Sequence, residues 1–125
     1  MSWTFKSDQP IYIQIVERIE IRIVKGEYPP GSKLPSVREL ALEAGVNPNT
    51  VQRAYADLEQ NGFVRTERTS GKYVTDDAEM LISLRKSLSS KYIEELFVRM
   101  TELGYSEKEI IEAVRAAKGE TDECA

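Results

Sequence analysis

Between Gly26 and Gly62 the chain carries helix stops and starts so closely spaced that only short helices fit between them. The stretch EYPPGSKLP holds three prolines and a glycine in nine residues, leaves few backbone donors, and reads as a connecting loop. Ser36 and Glu39 then form an S-x-x-E capping box, in which hydroxyl and carboxylate each satisfy an otherwise orphaned amide. The helix opened there turns Leu40 and Ala41 inward and meets its stop, Gly45, after about two to three turns. Asn47 and Pro48 restart a helix, with an Asn cap followed by a proline at the first helical position, where its missing donor costs nothing. This third helix is expected to run to about Asn61, burying Val51, Ala54, Tyr55 and Leu58 on one side and showing Asn49, Gln52, Arg53 and Ala56 on the other.

The segments on either side complete the pattern. In residues 10–25, Ile11, Ile13, Ile15, Ile19, Ile21 and Ile23 alternate as in a strand, yet Ile11, Ile15, Ile19 and Ile23 also fall at i+4 spacing. The run is too long for an ordinary strand, Pro10 suits a first helical turn and Gly26 supplies a stop, so a helix is expected. After Gly62, FVRTE and KYVT are short β-rich runs joined by RTSG, a hairpin in which Gly71 is free to take a positive φ. Its Arg65, Arg68 and Lys72 outnumber Glu67, leaving a local positive charge. Around Asp76-Asp77 the pattern turns helical, and we place a boundary there, between domains at 1–75 and 76–125. Residues 77–103 read as a long amphipathic helix with Leu81, Leu84, Leu88, Ile93, Leu96, Phe97, Met100 and Leu103 spaced mainly by three and four, and with Ser87, Ser89 and Ser90 as a weak point. Gly104 closes it, and Ser106 with Glu109 opens a last helix carrying Ile110, Ile111, Val114 and Ala117. The expected fold class is mainly α.

Composition narrows the function. At 125 residues the chain holds one ordinary domain or a small one with an appendage. Histidine is absent, which removes the commonest general base and the commonest metal ligand, so no enzyme activity, cofactor or metal site is expected. The single cysteine, Cys124, lies next to the C-terminus and is read as inert. No apolar stretch approaches the ~20 residues of a membrane span and no signal peptide is visible, so the expected compartment is the cytoplasm. The net charge of −4 argues against nonspecific nucleic-acid binding but conceals a gradient: residues 1–75 sum to +1 and residues 76–125 to −5.

Three helices followed by a basic hairpin, with a tight Gly45-Val46-Asn47 turn between the second and third, make the arrangement of a winged helix-turn-helix. A helix about 10–12 Å across fits a major groove about 12 Å wide. Asn and Gln pair with adenine, Arg with guanine, and a threonine methyl meets that of thymine, which makes Asn49, Thr50, Gln52 and Arg53 candidate readers. Amides near Ser36 and Asn47 are candidate phosphate cradles.

The run PPGSKLPSVRELALEAGVNPNTVQRAYADLEQNGFV resembles the DNA-binding domain of the GntR family of bacterial transcription regulators, over about residues 10–75. The remainder, with MTELGYSEKEIIEAV, resembles the YtrA-like branch, whose C-terminal region is a pair of helices. The resemblance implies a homodimeric repressor on double-stranded operator DNA. It places DNA contacts at Arg38, at Asn47, Asn49, Thr50, Gln52 and Arg53, and in the wing near Gly71. Pro48 and Gln52 stand where better-known branches carry arginines, so base readout is not carried over from those branches.

Each residue also has a plainer reading. Ser36 and Asn47 act first as caps, Arg38 can pair on the surface, and Lys33 is either a phosphate contact or a solvated side chain. Arg65, Arg68 and Lys72 can simply blunt an exposed hairpin. The stripe from Leu81 to Met100 is expected to dimerise, because a two-helix appendage alone leaves apolar surface exposed. About 50 residues in two helices offer little concave volume against the ~300 Å³ lower end of ligand pockets, so whether an unknown small-molecule effector exists is left open, with a pocket between subunits as one place for it. The alternative function is a winged-helix protein-interaction module without DNA binding.

Overall fold

In the computed structural model, residues 3–68 and 70–119 are described. They form α1 (Ile11–Lys25), α2 (Val37–Ala44), α3 (Pro48–Gln60), β1 (Val64–Glu67), β2 (Gly71–Val74), α4 (Ala78–Glu102) and α5 (Glu107–Ala117). The fold is mainly helical with a two-stranded wing, a winged helix-turn-helix followed by two further helices.

The isoleucine-rich segment is a helix because the i+4 set has a core to enter: Ile15, Ile19 and Ile23 are buried, while Ile13 and Ile21 are half-buried. Pro10 is the cap of α1 rather than its first residue, with extended backbone at φ −55° and ψ 142°. At the other end Gly26 takes φ 90° and donates its N–H to the carbonyls of Arg22 and Ile23, a left-handed stop that a side chain would strain. α1 and α2 both pack on α3, and α3 packs on β1. One cluster results, joining Ile15, Ile19 and Ile23 to Leu40 and Ala41, to Val51, Ala54, Tyr55 and Leu58, and to Val64 and Val74 of the wing. Tyr55 is buried, and its hydroxyl donates to the Pro35 carbonyl at 2.6 Å, so α3 holds the residue that precedes the α2 cap. Burial pushes that phenol well above its usual range.

β1 and β2 pair antiparallel from Val64↔Val74 to Glu67↔Gly71. The preceding loop is more ordered than its prolines suggest. Leu34 N–H donates to Lys72 O at 2.8 Å, Val74 N–H to Ser32 O at 2.9 Å and Gly31 N–H to Val74 O at 3.0 Å, with Lys33 bridging Tyr73. The prolines at 29, 30 and 35 flank a short stretch that keeps its donors, and this stretch covers the second edge of β2.

The segment from Trp3 onward is also tied down. Trp3 N–H donates to Ala44 O and its indole N–H to Glu43, both at 3.2 Å, while the guanidinium groups of Arg18 and Arg22 lie 4.6 and 4.9 Å from the ring centroid. Arg22 also donates to Glu43 at 2.9 Å and to the Tyr28 hydroxyl at 2.8 Å.

The chain divides into two compact units, 1–85 and 86–125, with the division inside α4. In the first, Leu81 packs against the core and Leu84 is buried. In the second, Leu88 and Ile110 are buried, and Ser106 and Glu109 form the expected capping box of α5. α4 runs without interruption through Ser87, Ser89 and Ser90. Among the described residues no helix is long and apolar enough to cross a membrane and no cluster of metal-ligating side chains occurs. Cys124 lies outside the described residues.

Candidate nucleic-acid interface

α3 presents its polar side because its apolar side is fully committed: Val51, Ala54, Tyr55 and Leu58 are each at most 1% exposed. Asn49, Gln52 and Arg53 are consequently exposed, and Thr50 is half-buried. The helix start is internally satisfied. Asn49 N–H donates to Asn47 Oδ1 at 2.7 Å, Thr50 N–H to Asn47 O at 2.9 Å, and Pro48 has no N–H to offer. The Asn47 side chain and the Asn49 amide are therefore already engaged in a cap.

At the start of α2, Ser36 Oγ accepts from Glu39 N–H at 3.0 Å and Glu39 Oε1 accepts from Ser36 N–H at 2.8 Å. Those hydrogen bonds hold the Glu39 carboxyl below its usual range. Arg38 stands exposed in the first turn, and no described residue pairs with it.

Along α3, Arg53 has a different neighbour. Its guanidinium carbon lies 3.9 Å from the centroid of the Tyr12 ring, and among the described residues it has no ion-pair or hydrogen-bond partner. Asn49, Thr50 and Arg53, with Pro10, Ile11 and Tyr12 from the start of α1, line an open cleft of about 420 Å³. The sequence signal was present, since Tyr12 sits in a first helical turn beside Pro10, but its pairing with Arg53 spans 41 positions and has no local signature.

The wing cations differ from one another. Lys72 Nζ lies 3.3 Å from Glu59 Oε1 and 2.9 Å from Thr66 Oγ1, and the Thr66 hydroxyl donates to the same carboxylate at 2.6 Å. The Thr66 and Lys72 bonds hold the Glu59 carboxyl below its usual range. Arg65 is paired with Glu67 at 3.0 Å and donates to Val74 O at 3.2 Å. Arg68, in the turn, is exposed with no partner among the described residues. Gly71 takes φ 118°, and a Cβ there would stand 3.2 Å from Lys33 Cε, so Lys33 crosses the wing at its glycine. The structure thus brings Lys33 and the wing together, and Asn49, Thr50 and Arg53 together around one cleft. It leaves Lys72 and Arg65 neutralised by carboxylates.

Of the apolar stripe on α4, Ile93 is 54% and Leu96 40% exposed, Phe97 and Met100 are half-buried, and Leu81 packs in the first unit. Ile82, Tyr92 and Val98 of the same helix are exposed as well.

Residues 11–74 match the family described as bacterial regulatory proteins, gntR family. The HTH-type transcriptional repressor YtrA of Bacillus subtilis is 38% identical over 94 residues, covering 74% of this chain and 72% of that protein. A GntR family transcriptional regulator from Listeria monocytogenes has a solved structure with 42% identity and a TM-score of 0.82, covering 90% of this chain and 98% of that one. A structure of AraR(DBD) in complex with operator ORE1 is 28% identical with a TM-score of 0.52, covering 60% of this chain and 94% of that one. With the winged helix, the NPNTVQRAY helix and the two C-terminal helices in place, the chain belongs to the gntR family of bacterial regulatory proteins and resembles its YtrA-like branch.

Proposed function

We propose that the protein is a homodimeric transcriptional repressor that reads an inverted-repeat operator with α3 in the major groove. One observation carries this reading: Asn49, Gln52 and Arg53 form an exposed hydrogen-bonding face on a helix whose other side is locked into the core. The operator complex of AraR(DBD), a domain alike in fold and 28% identical, supports it. Arg38, Lys33 and Arg68 carry the backbone contacts, since phosphates are met by cations without committed partners. Ser36, Asn47, Thr50 and Gly71 shape this surface, and Arg65 and Lys72 reach phosphate only by exchanging their carboxylate partners.

Dimerisation uses the apolar surface of α4 at Ile93, Leu96, Phe97 and Met100, with Leu81 and Leu84 serving the first unit and Leu88 already buried. In such a dimer two reading helices engage half-sites about 34–36 Å apart. The net charge of −5 over residues 76–125 is repelled by phosphate, so the DNA contacts of this reading all fall within residues 33–72. For a small-molecule effector, the described residues of the second unit offer an open depression of about 490 Å³ lined by Leu103, Gly104, Tyr105, Glu109, Glu112 and Ala113.

Selection of bound fragments from random duplex DNA tests the reading. Recovery of an inverted repeat, with affinity falling steeply as salt rises, is the expected result. Enrichment of no sequence by the folded protein contradicts it. That outcome favours instead a winged-helix protein-interaction module, the reading to which the carboxylates on Lys72 and Arg65 lend support.

A further inference from the structure

The geometry points to Tyr12, in the first turn of α1, as a positioning residue for base readout by Arg53, which makes the start of α1 part of the specificity apparatus. The inference rests on the proposed role of α3. A free arginine side chain samples many rotamers, and fixing it on a base costs that freedom. Here the guanidinium carbon is already held 3.9 Å from the Tyr12 ring centroid in a cation–π contact, and among the described residues no hydrogen-bond or ion-pair partner takes its N–H donors, which leaves them for a base.

The tyrosine is itself fixed. It is half-buried, and α1 is braced two residues on by Gln14, whose side chain accepts from Lys6 N–H at 2.8 Å and donates to Lys6 O at 2.8 Å and Gln9 O at 3.0 Å. The same ring lines the cleft into which Asn49 and Thr50 face, so Tyr12 sets both the direction of Arg53 and one wall of the space beside it. Arg65 provides a contrast: its guanidinium carbon is 5.6 Å from the Tyr73 ring, but its edge donors are spent on Glu67 and Val74. An aromatic neighbour prepares an arginine for a ligand only when no carboxylate has taken the fork.

The test measures affinity for two duplexes, one selected by the wild-type protein and a scrambled one of equal composition. Tyr12→Ala is expected to weaken the selected duplex about tenfold and the scrambled one less than about twofold. Tyr12→Phe, which keeps the ring, is expected to stay within about twofold of wild type on both. In an Arg53→Ala background, Tyr12→Ala is expected to add no further loss. If Tyr12→Ala does not fold, Tyr12→Leu keeps apolar bulk without a π face and is expected to show the same loss.

Tyr12→Phe failing as badly as Tyr12→Ala, or an equal loss in the Arg53→Ala background, overturns the inference. Loss on Arg53→Ala with none on Tyr12→Ala overturns it alone. No loss on Arg53→Ala itself overturns both this inference and the reading role of α3.

Discussion

The reading helix and the wing carry the same kinds of side chain and put them to different uses. On α3, Arg53 rests on an aromatic ring and keeps its donors. On the wing, Lys72 is closed onto Glu59 and Thr66, and Arg65 onto Glu67. Counting cations along the hairpin therefore overstates its positive field, because one of the neutralising carboxylates, Glu59, comes from the last turns of α3. Formal charge is a property of sequence, whereas available charge depends on which carboxylates the fold brings within reach.

The largest expected effect removes the comparison altogether. Leu58→Ala empties a site with no exposure in the cluster shared by α1, α3 and the wing, and unfolding by urea should show a loss of about 2–5 kcal/mol. Next comes the reading face: Arg53→Ala should cost about 1–3 kcal/mol on the selected operator, measured by anisotropy, and little on scrambled DNA. Arg68→Ala, by contrast, should weaken both duplexes alike and flatten the salt dependence.

The clasp between α3 and wing sharpens the contrast. Glu59→Gln releases Lys72 and should tighten binding to any duplex by about two- to fivefold at low salt, an effect that fades as salt screens it. The same clasp sets a pH dependence. The folded-state value of the Glu59 carboxyl is depressed, so its stabilisation is complete above the ordinary carboxylate range and disappears as pH falls through the depressed value. Thermal melts from neutral to acidic pH should show a component of acid destabilisation that Glu59→Gln lacks. The smallest effect belongs to Lys72→Ala, which should change affinity by less than about twofold, because the removed charge is already opposed by Glu59. A loss as large as that of Arg68→Ala would erase the distinction between the two wing residues.

Much of this was legible in the sequence, for a physical reason. Ser36-Glu39, Asn47-Pro48 and Ser106-Glu109 announce helix starts through bonds made within three residues, and the structure makes each of them. The stripe Val51, Ala54, Tyr55 and Leu58 named the buried side of α3, and with it the exposed side. What was not legible joins distant positions. The pairing of residues 31–34 with β2 and the packing of Trp3 against Arg18, Arg22 and Glu43 depend on which segments meet in space, as do the contacts of Arg53 with Tyr12 and of Lys72 with Glu59. On α4, spacing by threes and fours grouped Leu81 and Leu84 with Ile93 and Leu96, although the first two serve the core-bearing unit and the latter two are exposed. Periodicity identifies a face but not what covers it.

Titrating the isotopically labelled protein with its selected duplex, and following backbone and side-chain resonances by NMR, tests the central claim most directly. The account predicts the largest shifts at Asn49, Gln52 and the Arg53 guanidinium, smaller ones at Arg38, Lys33 and Arg68, and almost none along α5. Saturable binding that leaves the first two turns of α3 unmoved while α5 shifts would contradict it.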